Sequence, residues 1–150
     1  MFWIINLINL KKVFISSDHA GYHLKEQIKK KFSKKFIFED LGTYDSKNSV
    51  NYPDYAHNLC KKVSKNHLNM GILVCGSGMG MSIAANKTRK IRAALCYSIK
   101  NTKLSRLHNN ANIITLGERL INKNKAINLI KIFLSTKFEG GRHLRRVKKI

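Results

Sequence analysis

The chain has 150 residues and a formal charge of +21, because 29 Lys and Arg stand against 8 Asp and Glu. This length fits a single domain, and an apolar content of 43% excludes a chain that is disordered throughout. No apolar run reaches the roughly 18 residues that a membrane-spanning helix needs, so that class of protein is excluded too. We therefore expect a globular protein with no membrane partner.

The charge comes mainly from lysine, since 22 of the basic residues are Lys and 7 are Arg. A protein this basic has the electrostatic character of a nucleic-acid binder. Nucleic-acid sites, however, usually concentrate Arg and aromatic residues on one element, whereas most of these lysines fall where a helix would face solvent. We interpret the excess as a bias of composition, which gives a weak, salt-sensitive attraction to polyanions but no specific nucleic-acid partner.

The three cysteines, Cys60, Cys75 and Cys96, are an odd number and form no CxxC pair. This usage argues against a disulfide framework and against a zinc site, and it favours a reducing, cytoplasmic location. Cys60 and Cys96 fall in a predicted helix and a predicted strand, so we assign them to the core.

The first residues differ from the rest of the chain. Residues 1–10 are mostly apolar and are followed by Lys11 and Lys12, which reverses the order of a secretory signal, where the positive charge comes first. Export is therefore not expected. We divide the chain into an apolar N-terminal extension over residues 1–11 and one domain over residues 12–150.

From residue 12 onward, short apolar runs alternate with segments of helical periodicity. Five runs, most of them without polar alternation, predict strands buried on both faces: residues 12–16, 36–41, 70–75, 91–96 and 112–116. Five further segments place apolar residues three and four apart and predict helices: residues 22–35, 54–66, 80–87, 98–109 and 123–136. Five β-α units in series predict a Rossmann-like three-layer α/β/α sandwich with a five-stranded parallel sheet, and its ligand site should lie beyond the carboxyl ends of the strands.

A glycine-rich turn follows the third predicted strand, with the sequence CGSGMG over residues 75–80. Alternate glycines allow a tight turn whose amide hydrogens face an anion at the start of the next helix. The turn lacks the Lys-Ser/Thr pair of a phosphate-binding P-loop. A cysteine beside such amides favours its thiolate form, so Cys75 is a candidate base or nucleophile, with a buried structural thiol as the alternative.

Polar residues also stand at other predicted strand and helix ends. Asp18 and His19 follow the first strand, where Asp18 either binds a ligand or caps the next helix, and no cap explains His19. His108 and Asn109 end the fourth helix, where a histidine can simply be a favourable cap. Arg119 follows the fifth strand.

Three arginines lie near the C-terminus. If that segment is helical, Arg142 and Arg146 stand one turn apart on one face, while Arg145 points elsewhere. Two guanidinium groups so placed can clamp a phosphate through paired hydrogen bonds. The alternative is a solvated basic tail.

Together these segments resemble the type B ribose-5-phosphate isomerases, in the family that also holds the galactose-6-phosphate isomerase subunits. The matching stretches occur in order between residues 12 and 147: SDHAGYHLK, DLGTYD, NYPDYA, ILVCGSGMGMSIAANK, IRAAL, LSRLHNNANIITLGER and FEGGRHLRRV. The resemblance implies an aldose-ketose isomerase of the pentose phosphate pathway. Such enzymes interconvert D-ribose 5-phosphate and D-ribulose 5-phosphate through a cis-enediolate, without metal or cofactor.

The resemblance also assigns roles to individual residues. Cys75 matches the general base, Ser77 a position that assists proton movement on the sugar oxygens, and His108 the acid that opens the furanose ring. The other matched positions contact the substrate. They are Gly76, Gly78, Met79 and Gly80 through an anion hole of amides, Asp18, His19, Tyr52 and Asn109 at the sugar, and Arg119, Arg142 and Arg146 at the phosphate.

In such enzymes two chains share each site, and the resemblance implies that His108, Asn109 and Arg119 come from the neighbouring subunit of a homodimer or tetramer. Two alternatives stay open. A galactose-6-phosphate or allose-6-phosphate isomerase of the same family would use the same Cys75 and His108. A non-enzymatic nucleotide- or nucleic-acid-binding module would leave both residues and the arginine pair unexplained.

Overall fold

A computed structural model describes residues 10–150 of the chain, so most of the predicted extension lies outside the described residues. The strands are β1 (Lys11–Ser17), β2 (Phe36–Asp40), β3 (Gly71–Cys75), β4 (Ala93–Leu95) and β5 (Ile113–Gly117). The helices are α1 (Tyr22–Phe32), α2 (Tyr52–Val63), α3 (Met79–Ala85), α4 (Ile99–Leu107), α5 (Lys123–Ser135) and α6 (Arg142–Val147), with a 3-10 turn at His19–Gly21.

The strands form one parallel sheet in the order β2-β1-β3-β5-β4. Every residue of β3 and β5 is buried, because helices cover both faces of the sheet. The core on one face is built with α1 and α5, and the core on the other face with α2 and α3. This confirms the predicted Rossmann-like α/β/α sandwich, and it places the carboxyl ends of β1, β3 and β5 side by side.

The edge strand β4 is shorter than predicted. Its first predicted residue, Ile91, donates its backbone N–H to the Thr88 carbonyl at 3.2 Å and so belongs to a turn. Ile91 is buried in the core as its apolar side chain suggests, but it packs there from the turn and not from the strand. The strand therefore begins at Ala93.

Reciprocal hydrogen bonds between Ser98 and Asn101 define the start of helix α4. The Ser98 hydroxyl accepts a hydrogen bond from the Asn101 N–H at 3.1 Å, and the Asn101 side chain accepts one from the Ser98 N–H at 3.0 Å. Reciprocal caps of this kind satisfy free amides of the first turn. The helix ends at Leu107, so His108 is held at its carboxyl end.

A buried ion pair joins α1 to the end of β2. The side chain of Lys25 is fully buried, and its ammonium lies 2.8 and 2.6 Å from the two carboxylate oxygens of Asp40. Desolvation acts against the Asp40 carboxylate, but hydrogen bonds from Lys25 and Lys29 outweigh it and hold the pKa of Asp40 below its usual range. Asp40 also accepts the Gly42 N–H at 2.9 Å, which anchors the loop that follows β2.

Among the helices of residues 10–150, none combines the length and the apolar character that a membrane crossing requires.

Candidate active site

The turn after β3 folds around the thiol of Cys75. Cys75 is the last residue of the strand and is 4% exposed. The Gly78 N–H donates to its Sγ at 3.1 Å, and the Met79 N–H donates to the Ser77 Oγ at 3.2 Å. Gly78 has φ of +76°, a left-handed conformation that suits glycine and turns its amide back toward the sulfur. The amides of Gly78 and Met79 thus donate within the turn, and their place in an anion hole stays a prediction.

The same turn packs closely on the end of β5. A Cβ placed on Gly117 would lie 2.6 Å from the carbonyl carbon and oxygen of Ser77, so no side chain fits there. The Glu118 N–H donates to the Cys75 carbonyl at 2.9 Å, and the Arg119 N–H donates to the Gly76 carbonyl at 3.0 Å. These backbone hydrogen bonds hold Arg119 next to the glycine turn.

A cavity of about 370 Å³ opens at this edge of the sheet. Its lining comes from the ends of β1, β3 and β5 and from the start of α2: Asp18, His19, Ala20, Tyr52, Cys75, Gly76, Ser77, Gly80, Arg119 and Leu120. The Arg119 guanidinium lies against Gly76, where an added Cβ would sit 3.1 Å from its nitrogen. This cavity lies where the site is predicted, beyond the carboxyl ends of the strands.

Asp18 and His19, the residues after β1, both lie at the cavity. Asp18 accepts the Gly21 N–H at 3.0 Å and so caps the 3-10 turn, while it also lines the cavity. His19 accepts the Val50 N–H at its Nδ1 at 3.1 Å, which leaves Nε2 as the donor nitrogen of the ring. The loop before α2 therefore fixes the His19 ring at the cavity.

Tyr52 lies at the same cavity, which strengthens the weakest of the sequence matches. A Cβ on Gly80 would fall 2.8 Å from the Tyr52 ring, so the aromatic side chain rests directly on the glycine turn. The absence of a side chain at Gly80 makes this contact possible.

His108 and Asn109 lie elsewhere in the chain. They line a second cavity of about 410 Å³, together with His143, Arg146, Val147 and Ile150. The two cavities share no lining residue. One chain thus holds two separate sets of the predicted site residues.

The model of the family described as Ribose/Galactose Isomerase matches residues 13–150. The chain belongs to this family. It is 37% identical over 142 residues to ribose-5-phosphate isomerase B of Escherichia coli, covering 94% of this chain and 95% of that protein.

Solved structures agree with this assignment. A ribose 5-phosphate isomerase of Thermotoga maritima superposes with a TM-score of 0.89 at 49% identity, covering 93% of this chain and 96% of the other. The ribose-5-phosphate isomerase B of Mycoplasma genitalium, solved with bound ribulose 5-phosphate, gives a TM-score of 0.88 at 41% identity, covering 92% of each chain.

One expectation about the isomerase site is wrong. Arg119 was expected to reach the cysteine site from the neighbouring subunit, but it lies at the Cys75 cavity of its own chain. The reason is local, because Arg119 follows β5 by two residues and β5 pairs directly with β3. Only His108 and Asn109 keep the expected separation from Cys75.

The C-terminal arginines of the isomerase lie on a helix, which is the condition for placing Arg142 and Arg146 on one face. Helix α6 spans Arg142–Val147, so Arg142 and Arg146 are one turn apart. Arg146 lines the second cavity, while the Arg142 Nε donates to the His143 Nε2 at 3.4 Å. The phosphate clamp itself stays a prediction.

Two residues beside His108 were not singled out from the sequence. The rings of His108 and His143 stack at 4.1 Å between centroids with 12° between their planes. Glu139 places Oε2 at 3.8 Å from the His108 Nε2 and 4.0 Å from the His143 Nε2. Both residues belong to the quoted run FEGGRHLRRV, in which the arginines alone had suggested a function.

His108, Glu139 and His143 form the one three-donor cluster in residues 10–150 that has the composition of a metal site. The near-parallel rings direct their nitrogen lone pairs side by side rather than toward one point. Arg142 and Arg146 lie on the same helix as His143, and their positive charge would repel a metal cation bound to this cluster. We therefore do not assign a metal to this cluster.

The other two cysteines of the isomerase behave as core residues. Cys60 and Cys96 are fully buried, and burial raises the pKa of the Cys60 thiol to about 11 and also raises the pKa of Cys96. A thiol with a raised pKa is a poor nucleophile and a poor base at neutral pH. Their assignment to the core is confirmed, and Cys75 is the cysteine that faces the site.

Proposed function

We propose that this chain is a type B ribose-5-phosphate isomerase, which interconverts D-ribose 5-phosphate and D-ribulose 5-phosphate with Cys75 as the base. The observation that carries the proposal is the Cys75 thiol, held by the Gly78 amide at a cavity that also contains a guanidinium and a histidine. The similarity to a structure with bound ribulose 5-phosphate supports the choice of a pentose phosphate over the hexose phosphate alternatives.

The proton transfer uses groups of the first cavity. The Cys75 thiolate removes the proton from C2 of the open-chain aldose, while O1 gains a proton, which gives the enediol. The O2 proton then leaves, and the thiol returns its proton to C1, which gives the ketose. Ser77 lies beside Cys75 in the turn and relays protons between the two sugar oxygens.

The Gly78 amide has a direct role in this chemistry. It donates to Sγ at 3.1 Å and so stabilises the negative sulfur before the proton is removed. The Arg119 guanidinium at the same cavity stabilises negative charge on the substrate. Donors that are already in place for charge lower the barrier more than donors that must reorganise.

Ring opening must come first, because the closed furanose has no carbonyl. We assign this step to His108, which gives a proton to the ring oxygen O4 as the C1–O4 bond breaks and the hydroxyl on C1 loses its proton to become the carbonyl. His108 lines a cavity separate from that of Cys75, and in the proposed enzyme a second chain brings its His108 and Asn109 to the Cys75 cavity of the first. This separation supports a homodimer or a larger assembly with shared sites.

The phosphate is bound by cations from both chains. Arg119 comes from the chain that supplies Cys75, and Arg142 and Arg146 come from helix α6, which packs beside His108. Guanidinium groups suit this role because they offer planar, paired donors to phosphate oxygens.

Turnover of three sugar phosphates by the purified chain tests the proposed function. Ribose 5-phosphate should give a kcat/KM at least about tenfold above galactose 6-phosphate and allose 6-phosphate, since a pocket built for five carbons must deform to admit six. A preference for a hexose phosphate would replace the substrate assignment. Absence of all three activities in folded protein would refute the proposal and favour a binding module.

A further inference from the structure

His108 does not stand alone at the end of α4, since two side chains from another segment hold it. His143 stacks on one face of its ring, and the Glu139 carboxylate lies 3.8 Å from its Nε2. The proton transfer described above uses neither residue.

The segment that carries these residues is fixed to α4 by its backbone. The Glu139 N–H donates to the Leu107 carbonyl at 3.1 Å, directly beside His108, and the Arg106 Nε donates to the Thr136 carbonyl at 3.0 Å. These hydrogen bonds hold the backbone of Glu139 next to α4, and this position brings its carboxylate close to the imidazole of His108.

His143 is held more firmly than His108. It is 5% exposed, its N–H donates to the Gly140 carbonyl at 3.0 Å, and its Nε2 accepts the Arg142 Nε–H. Burial lowers the pKa of His143, and the positive groups of His108, Arg142 and Arg146 act in the same direction against the Glu139 carboxylate. Burial thus favours the neutral form of the His143 ring, and a neutral ring adds no charge repulsion to the stack with His108.

We propose that Glu139 and His143 are positioning residues for the opening of the sugar ring, where Glu139 stabilises the positive charge of His108 and His143 fixes the plane of its ring. The inference rests on the proposed function. His143 also lies between Arg142 and Arg146 in α6, so one short helix carries both the phosphate ligands and the support of the acid. Docking of the phosphate then sets the position of His108 relative to the sugar ring.

Two substrates separate ring opening from proton transfer. Ribose 5-phosphate is mostly cyclic and needs His108, whereas 4-deoxyribose 5-phosphate lacks the hydroxyl that closes the furanose and stays open. Positioned acids contribute on the order of 10² or more to such steps. Glu139→Gln should lower kcat/KM for ribose 5-phosphate by about 10- to 100-fold and leave that for the 4-deoxy compound within about twofold. Glu26→Gln, on α1, is the matched control and should change neither value.

The histidine is tested by a pair of variants. His143→Ala should lose about tenfold on ribose 5-phosphate alone, and His143→Phe, which keeps an aromatic face, should recover most of that loss. Equal losses on both substrates, or no loss on either, would overturn the positioning role while leaving the isomerase intact. If the unaltered enzyme turned over neither substrate, the proposed function itself would be wrong.

Discussion

Replacing Gly78 by alanine tests how closely the cysteine turn is packed. The residue has φ of +76°, and a residue with a Cβ pays about 1 to 2 kcal/mol in that conformation. The added Cβ would also lie 2.7 Å from Leu95 Cδ1, 2.9 Å from the Leu116 carbonyl carbon and 3.1 Å from the Gly117 nitrogen. Two of these neighbours are backbone atoms of β5, so overpacking should cost roughly a further 1 to 3 kcal/mol.

Gly140 offers a matched control for the conformational part of this cost. Its φ is +72°, and an added Cβ would meet nothing within 4 Å. Urea unfolding at equal protein concentration should show a loss of about 2 to 5 kcal/mol for Gly78→Ala, against about 1 to 2 kcal/mol for Gly140→Ala. Similar losses for both variants would refute the close approach of the turn to β5.

Three further predictions concern the base, the phosphate and the buried ion pair. Cys75→Ala should lower kcat on the order of 100-fold with a modest change in KM, whereas Cys60→Ala should leave kcat within about twofold, measured by steady-state kinetics. Arg146→Ala should lower kcat/KM by roughly 10- to 150-fold and Arg145→Ala by little, so equal losses would favour the basic-tail interpretation. Because the pKa of Asp40 is lowered in the fold, its ion pair contributes stability above the unfolded pKa and loses it as the pH falls through the folded value. Asp40→Asn should therefore cost roughly 3 kcal/mol in urea unfolding at pH 7, with a difference that shrinks in acid, and a constant difference would contradict the ionic origin.

Sequence reasoning predicted the sheet because the apolar pattern reports burial directly. The fully buried strands β3 and β5 have nearly uniform apolar runs, and their bounds were close to those observed. The edge strand β4 was predicted too long. Ile91 is apolar because it packs in the core, but it lies in a turn and not in the sheet. An apolar residue in a buried turn and one in a buried strand have the same sequence signal.

Sequence reasoning found the site residues that lie at strand ends. It missed those that are brought together by contacts between distant segments. Cys75 ends a strand and His19 follows one, and both line the cavity. The ring stack of His108 on His143 joins residues 35 positions apart in the sequence, and no local pattern encodes it. The family resemblance assigned Arg119 to the neighbouring chain, whereas the pairing of β3 with β5 places it at the Cys75 cavity of its own chain.

The central claim is that two chains build each active site, one with Cys75 and the other with His108. Cys75→Ala and His108→Asn proteins should each be at least about tenfold slower on ribose 5-phosphate. After subunit exchange, verified by the mass of tagged assemblies, half of the dimers are mixed and one of their two sites has both residues intact, so activity should recover to about a quarter of the unaltered enzyme. Mixed dimers with no recovered activity would contradict the shared site.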